Sequence, residues 1–313
     1  ERLPGGAAVV LAVLAGVLSA VQSAVNAELG ARVGSGALGA AVNHLGGCVV
    51  IAVGFAVLPS MRSGLRVLRH ARLPWWAYLG GVGGALLVTA ATYVVPVLGV
   101  AVFTIAQVAG NSVGGLAVDR VGLGPAGRLA LSGPRVAGAL LGIAAVAVAQ
   151  IGRPVGQLAV GLVLLAMAGG LGVALQAALN ARVSAASSMA TGTAVNFAVG
   201  TPLVLAAAAA LGGLDAATSG SWPSQWYLYL GGLFGVSIVT LLIVTVPAVG
   251  VLRVGLSTVG GQLVGAMLLD ALLPSGPGVR PMLVVGAVLT FLAVIVSGRS
   301  ARSRASEAAP ARR

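Results

Sequence analysis

Ten runs of mostly apolar residues, each close to the length of a helix that crosses a bilayer, dominate this chain of 313 residues. Spanning hydrocarbon takes about 20 such residues, because every backbone amide has to be hydrogen-bonded within the helix itself. Only 8% of the residues are charged, whereas a soluble domain carries about a quarter. The pattern therefore predicts an all-α polytopic membrane protein.

Short turns join the predicted spans, and two of these turns contain proline. Proline removes a backbone donor and disfavours helix at the residue before it, so the tripeptides centred on Pro96 and Pro247 predict two tight hairpins. The ten predicted transmembrane helices are 7–27, 36–58, 76–95, 98–118, 136–151, 158–179, 190–211, 226–246, 251–269 and 282–297.

Arginine supplies every basic side chain, and its distribution predicts the orientation. Cytoplasmic loops hold the excess of basic residues; with both termini in the cytoplasm, only Arg32, Arg153 and Arg280 are left outside. We therefore expect a multi-pass membrane protein whose termini both lie in the cytoplasm. The Arg clusters after spans two and ten would contact anionic lipid headgroups, which explains the net charge of +12 better than nucleic acid does. Segment 299–313 is predicted to be a disordered cytoplasmic tail.

The chain is also predicted to be an internal duplication. Residues 78–119 align without a gap onto 229–270, and the alignment matches proline with proline and aspartate with aspartate, which apolar composition alone does not produce. Because each copy has five spans, the second enters the membrane from the opposite side, giving two inverted five-helix repeats, 1–153 and 154–298. The matched pairs upstream are Gly16 with Gly170, Gln22 with Gln176, Asn26 with Asn180, Asn43 with Asn196 and Gly47 with Gly200.

A family resemblance rests on these residues. The glycine and amides at Gly16, Gln22 and Asn26, the pair Asn43 and Gly47, and the stretch 119–123 resemble the YdcZ-type branch of the drug/metabolite transporter (DMT) superfamily. The resemblance covers nearly the whole chain and implies a ten-helix transporter of the bacterial plasma (inner) membrane, related to the EamA-type exporters. The two copies differ where Arg120 is matched by Ala271 and Glu28 by Arg182.

Ten amide and hydroxyl side chains inside the predicted spans are the candidate substrate-binding residues. Gln22 and Asn26 are four apart and share one helix face, and we expect the inverted copy to place its equivalents at the other side of a central site. The alternative is that such amides hydrogen-bond between helices and serve packing alone. The ten candidates are Gln22, Asn26, Asn43, Gln107, Asn111, Gln176, Asn180, Asn196, Thr258 and Gln262.

Few ionisable groups are available for coupling or catalysis. His44 and Glu28 are candidate proton sites, with hydrogen-bonded core and an interfacial carboxylate as the respective alternatives. Asp119 and Asp270 end their helices, and the sequence favours ion pairs with an arginine such as Arg135 or Arg280 over function. The sequence shows no metal-binding spacing, no catalytic set and no cofactor motif, and the single Cys48 excludes an intrachain disulfide.

The function that these features favour is export of a small neutral or zwitterionic polar metabolite by alternating access. Proton-coupled drug efflux of the small multidrug type is an alternative, although the glutamate that such transporters need deep in the first span is replaced here by the apolar run 13–17. A non-transporting scaffold or lipid-handling protein is a third possibility, and a homodimer is compatible with the sequence. An enzyme is disfavoured, because the acids are mostly near helix ends.

Overall fold

The computed structural model describes residues 3–152, 160–219, 222–272 and 281–307, and within these ranges the chain is α-helical, with no strand. The predicted repeat boundary at 153 and the last residues of the tail lie outside them. The helices are α1 (Gly5–Val33), α2 (Gly36–Val57), α3 (Pro59–His70), α4 (Gly80–Val121), α5 (Gly133–Ala149), α6 (Val160–Ala186), α7 (Met189–Ala210), α8 (Gly213–Ser219), α9 (Gly231–Val249), α10 (Val251–Leu272) and α11 (Pro281–Glu307).

The helices are those of a polytopic membrane protein. In the described ranges, seven helices are long and apolar enough to cross a bilayer: α1, α2, α6, α7, the segment 226–249, α10 and the first part of α11. Two further apolar segments, 75–91 and α5, are shorter than this. Large aliphatic side chains such as Val10, Val49 and Leu140 are exposed on the outer surface of the bundle, as expected for contact with lipid tails.

The helix α4 folds back on itself. A straight helix of its 42 residues would be about 63 Å long, twice the thickness of the hydrocarbon. Both of its halves nevertheless pack against one short stretch of α6: Leu87 contacts Gly169, and Gln107 contacts Gly170. In a straight helix Leu87 and Gln107 would be about 30 Å apart, so the chain reverses between them. This agrees with the hairpin predicted at Pro96, and the structure adds that helical backbone extends up to the reversal from both sides.

The second proline turn is displaced from its predicted place. The helix α9 continues through Pro247 and ends at Val249, because Gly250 adopts a positive φ of 80°. The N–H of Gly250 donates to the carbonyl of Val246 at 2.9 Å, which completes the last turn of the helix before α10 begins. Proline in the last turn sacrifices one hydrogen bond, whereas only glycine adopts this backbone conformation at little cost.

Serine caps begin the second helix of each half. The side chain of Ser35 accepts a hydrogen bond from the N–H of Leu38, and the side chain of Ser188 accepts one from the N–H of Thr191, both at 3.2 Å. Each cap satisfies a backbone donor that the first turn leaves free. Together with Gly34, which has a φ of 76°, they place tight turns before α2 and α7.

The connecting helices α3 and α8 lie at opposite ends of the bundle. In α3, Gly64 packs against the hydroxyl of Ser188, at the start of α7. In α8, Ala216 packs on the cluster around Leu29, near the end of α1. The apolar pattern of the sequence does not predict α3, because its residues are too polar for a span and too few for a domain.

The arginines are concentrated at the end of the bundle that holds α3. There, Arg182 near the end of α6 donates to the carbonyl of Leu123 at 3.1 Å. Of the arginines whose side chains the structure describes, Arg32 lies at the other end. Those at the α3 end are Arg62, Arg66, Arg69, Arg72, Arg120, Arg128, Arg135, Arg182, Arg253 and Arg299.

The last helix extends into the segment for which the sequence predicts a disordered tail. The helix α11 continues past Arg299 to Glu307, because the alanine and arginine of this segment favour helix. Residues 308–313 lie outside the described ranges.

Candidate functional site

Glycines bring helices from the two halves of the chain into backbone contact. A Cβ atom at Gly16 of α1 would overlap the carbonyl oxygen of Thr258 in α10. A Cβ atom at Gly170 of α6 would likewise overlap the carbonyl oxygen of Gln107 in α4. The residues of these two contacts are matched in the sequence alignment, Gly16 with Gly170 and Gln107 with Thr258. Such small residues let membrane helices approach closely.

The polar side chains at these crossings line a central chamber of about 50 Å³. Four candidate residues supply its polar lining, and the rest is aliphatic or glycine, with no charged side chain among the lining residues. One of the four, Gln262, donates to the hydroxyl of Ser19 at 3.0 Å. The volume holds a few water molecules, so a metabolite would need a wider chamber. The four residues are Gln107, Asn111, Thr258 and Gln262.

Two further cavities lie on the side of the chamber nearer the α3 end of the bundle, and each shares wall residues with the next. The first, of about 20 Å³, shares Leu242 with the chamber and is lined by Gln176 and Asn180. The second is a crevice of about 410 Å³ that shares Ile243 with the first and reaches Leu3. Two of the predicted amides therefore stand between the chamber and a crevice.

The first amide cluster connects α1 to both halves of the chain. The Nε2 group of Gln22 donates to the backbone carbonyl of Gly231 at 2.8 Å and to Oδ1 of Asn43 at 3.3 Å. The remaining amide, Asn26, has a buried Oδ1 with no hydrogen-bond partner. Gln22 therefore holds α1 and α2 to α9, which comes from the other half.

The second amide cluster has the same residues with a different hydrogen bond. The Nδ2 group of Asn180 donates to Oδ1 of Asn196 at 2.8 Å, and both residues are buried. Two buried oxygens in this cluster have no hydrogen-bond partner, Oδ1 of Asn180 and Oε1 of Gln176, and the latter lies against Gly84. The Asn180–Asn196 bond connects neighbouring helices of one half, as the packing alternative expects.

Comparison with known proteins assigns the chain to a family. A model of the DMT class, described as "Putative inner membrane exporter, YdcZ", matches residues 7–148 and again residues 161–296. The chain belongs to the YdcZ family. It is therefore a membrane-embedded protein of a family of exporters, not of a family of enzymes.

One solved crystal structure resembles the whole fold of this YdcZ-family chain. The superposition includes 97% of this chain and 99% of the chain in that structure, with a TM-score of 0.64 and 21% sequence identity. At this identity the likeness concerns the fold alone. A comparison with curated proteins finds no match.

Asp119 is a structural residue in this YdcZ-family chain. Its carboxylate is 3% exposed, forms an ion pair of 2.5 Å with Arg135, and accepts the N–H groups of Val251 and Leu252 at 2.8 and 3.1 Å. The predicted pairing with Arg135 is confirmed. The hydrogen bonds from Val251 and Leu252 cap the first turn of α10 and connect the end of α4 to the other half. This cap was not predicted from the sequence. The equivalent pair, Asp270 and Arg280, lies outside the described side chains.

Neither candidate proton site lines the chamber. Nδ1 of His44 lies 3.2 Å from the carbonyl of Ala40, and the imidazole ring packs 5.6 Å from the ring of Phe197, its match in the other half. Glu28 forms an ion pair with Arg32 and accepts a hydrogen bond from the hydroxyl of Tyr227 at 3.4 Å. These positions agree with the alternative roles, a hydrogen-bonded core histidine for His44 and an interfacial carboxylate for Glu28.

The matched positions of Glu28 and Arg182 retain their geometry while they exchange charge. Glu28 meets Tyr227, and Arg182 lies 5.1 Å from the ring centroid of Trp76. Trp76 corresponds to Tyr227 when the alignment of 78–119 onto 229–270 is extended by two residues. Each charged group therefore contacts the aromatic residue that precedes a helix of the other half. The sequence alignment could have found these contacts, because both partners are matched pairs.

Proposed function

We propose that this YdcZ-family protein exports a small neutral or zwitterionic polar metabolite across the bacterial inner membrane by alternating access. The observation that carries the proposal is the central chamber, to which matched residues of both halves, Gln107 with Thr258 and Asn111 with Gln262, contribute its polar lining. Amides and hydroxyls offer donors and acceptors without net charge, and they suit a substrate that carries no net charge. The absence of a charged lining residue disfavours a lipophilic cation.

The proposal includes ten spans arranged as two inverted repeats. It counts the two halves of α4 as separate spans and includes α5, which is short but apolar. The repeats are 1–153 and 154–298, and both termini lie in the cytoplasm with the arginine-rich end of the bundle. Reciprocal contacts between the halves support the inverted arrangement. The helix α1 packs against α9 and α10, and its counterpart α6 packs against the two halves of α4.

The two amide clusters provide a mechanism for the exchange of states. In the cluster of Gln22, the glutamine bonds across the halves; in the cluster of Gln176, it does not, and the crevice lies on that side. A rotation of the Gln176 amide would direct its NH₂ group towards α4 and reproduce the pattern of the first cluster. Exchange of the two patterns would close the crevice on the cytoplasmic side and open its equivalent outside.

Water access to the chamber tests whether the protein transports or only packs. In a Cys48→Ala background, single cysteines at Gln107 and Gln262 should react with a small methanethiosulfonate reagent. Matched controls on the same two helices are Ser112→Cys and Ser257→Cys, since these serines are 3% and 0% exposed. Labelling of the chamber cysteines alone supports a transport path, whereas protection at all four positions would indicate a scaffold.

The substrate can be sought by growth. Strains that lack or overproduce the protein are compared across a panel of toxic amino acids, amides and other polar metabolites, and flux of a hit is then measured in liposomes. We expect overproduction to protect against an uncharged or zwitterionic compound. Protection restricted to lipophilic cations, with flux that follows a proton gradient, would favour the proton-coupled efflux alternative.

A further inference from the structure

The helix α3 is amphipathic and connects two membrane-spanning segments. It begins two residues after α2 ends and is followed by the 3₁₀ turn Trp75–Leu79, from which α4 enters the bundle. One face of α3 is buried against the protein, and the other carries arginines spaced four and three residues apart, which places them on one side of the helix. The buried residues are Met61, Gly64 and Leu68, and the exposed arginines are Arg62, Arg66 and Arg69.

No acid neutralises these arginines in the part of the chain that the structure describes. The sequence has no Asp or Glu between Glu28 and Asp119. Glu28 lies at the other end of the bundle, and Asp119 is buried and paired with Arg135. Arg62 donates to the carbonyl of Ala56 at 3.5 Å, which leaves its charge uncompensated. The connection at the opposite end, 211–225, contains Asp215 and no arginine.

Apolar side chains accompany the cations on the exposed surface. Val67 is 53% exposed and Trp75 is 75% exposed. Tryptophan beside arginine at the end of a span is typical of the membrane interface, where the ring lies among the headgroups and the cation meets phosphate. A soluble anion would neutralise the arginines but would leave Val67 and Trp75 in water.

We infer that α3 is a binding site for an anionic phospholipid headgroup, of the phosphatidylglycerol type, in the leaflet at the cytoplasmic surface. The bound phosphate contacts the three exposed arginines, and the acyl chains lie along Trp75 and the end of α2. The site is separate from the chamber, and lipid binding there does not depend on the proposed transport.

The position of α3 connects this lipid site to the crevice. A Cβ atom at Gly64 would lie 2.5 Å from the hydroxyl of Thr191 and would overlap that of Ser188. Ser188 caps α7, and the adjacent Met189 lines the crevice. A lipid that holds α3 in place therefore also stabilises one wall of the crevice.

The test uses the full-length protein purified in a neutral detergent and titrated with dioctanoyl phosphatidylglycerol. Binding is measured by native mass spectrometry and by the rise in unfolding temperature, with dioctanoyl phosphatidylcholine and glycerol 1-phosphate as comparison probes. We expect retention and stabilisation by phosphatidylglycerol alone, weakened by added salt because the contact is electrostatic. Equal binding of glycerol 1-phosphate would show a soluble-anion site, and equal binding of phosphatidylcholine would show a contact without charge selectivity; either overturns the inference.

Variants of exposed arginines locate the site. R62Q/R66Q/R69Q should weaken phosphatidylglycerol binding at least tenfold, and R66Q alone two- to threefold. The control R120Q/R128Q removes two exposed arginines from the same end of the bundle and should bind as the unmodified protein does. Equal loss in the control and in the α3 triple variant, or no loss in R66Q and the α3 triple, would contradict a site on α3.

Discussion

At the scale of single residues, Gln22 and Gln176 occupy matched places and differ in what they bond. Gln22→Leu removes the donor to the carbonyl of Gly231 and to Asn43, and so it removes a connection between the two halves. We expect export to fall at least tenfold while the amount of protein in the membrane is unchanged. The measurement is liposome flux of the compound that the growth panel identifies.

A neighbouring serine provides the control for this variant. Ser23 is exposed and bonds only to the carbonyl of Ser19 in its own helix, so Ser23→Ala should export normally. Flux of the Gln22→Leu protein equal to that of the control would contradict a role for the amide cluster in transport.

The buried ion pair of Asp119 leads to a prediction about stability. Asp119→Asn leaves Arg135 charged and buried without its partner, and breaking a buried pair in this way costs about 3–5 kcal/mol. We expect a clear decrease in the unfolding temperature of the purified protein. The adjacent, exposed Arg120 gives the control: Arg120→Gln should change the unfolding free energy by no more than about 0.5 kcal/mol. An Asp119→Asn protein as stable as the Arg120→Gln protein would show that the pair and cap are dispensable.

The sequence predicted the positions of the polar residues better than their partners. Gln107, Asn111, Thr258 and Gln262 were selected because polar groups are costly in hydrocarbon, and the structure places all four around one chamber. The carbonyl of Gly231 as the acceptor for Gln22 was not predicted, since a backbone acceptor leaves no trace in side-chain patterns.

At the scale of elements, helix packing depends on glycines that the side-chain pattern alone does not distinguish. Gly170 and Gly161 both lie in α6, but a Cβ atom at Gly170 would overlap the carbonyl of Gln107, whereas one at Gly161 would meet no atom within 4 Å. We expect Gly170→Ala to lower the unfolding free energy by about 1–3 kcal/mol, the usual range for overpacking. Gly161→Ala should be neutral or stabilising by about 0.5–1 kcal/mol, because alanine favours helix. Equal unfolding temperatures for the two variants would contradict close packing at this crossing.

Helix ends were predicted less well than helix positions. Proline was expected to end α9 at Val246, but the helix continues to Val249, because proline is tolerated in the last turn and the positive φ of Gly250 terminates the helix. The amphipathic α3 was missed because a search for apolar runs excludes a helix with three arginines on one face. The disorder of 299–313 stays a prediction, and α11 extends into its first part as far as Glu307.

At the scale of the whole molecule, the reciprocal contacts favour a two-fold relation between the halves. Gly16 meets α10 and Gly170 meets α4 through matched residues, and α3 and α8, which follow the matched helices α2 and α7, lie at opposite ends of the bundle. The proposed exchange of states requires this inverted arrangement, because a parallel arrangement would place both amide clusters on one side.

Sidedness of two loops is the most direct test of the inverted arrangement. Ser63 in α3 and Thr218 in α8 are both exposed, and each is replaced by cysteine in the Cys48→Ala background. A membrane-impermeant maleimide is then added to intact cells and to permeabilised cells. We predict labelling of Thr218→Cys in intact cells and of Ser63→Cys only after permeabilisation. Labelling of both in the same compartment would contradict the inverted repeat and, with it, the proposed transport by alternating access.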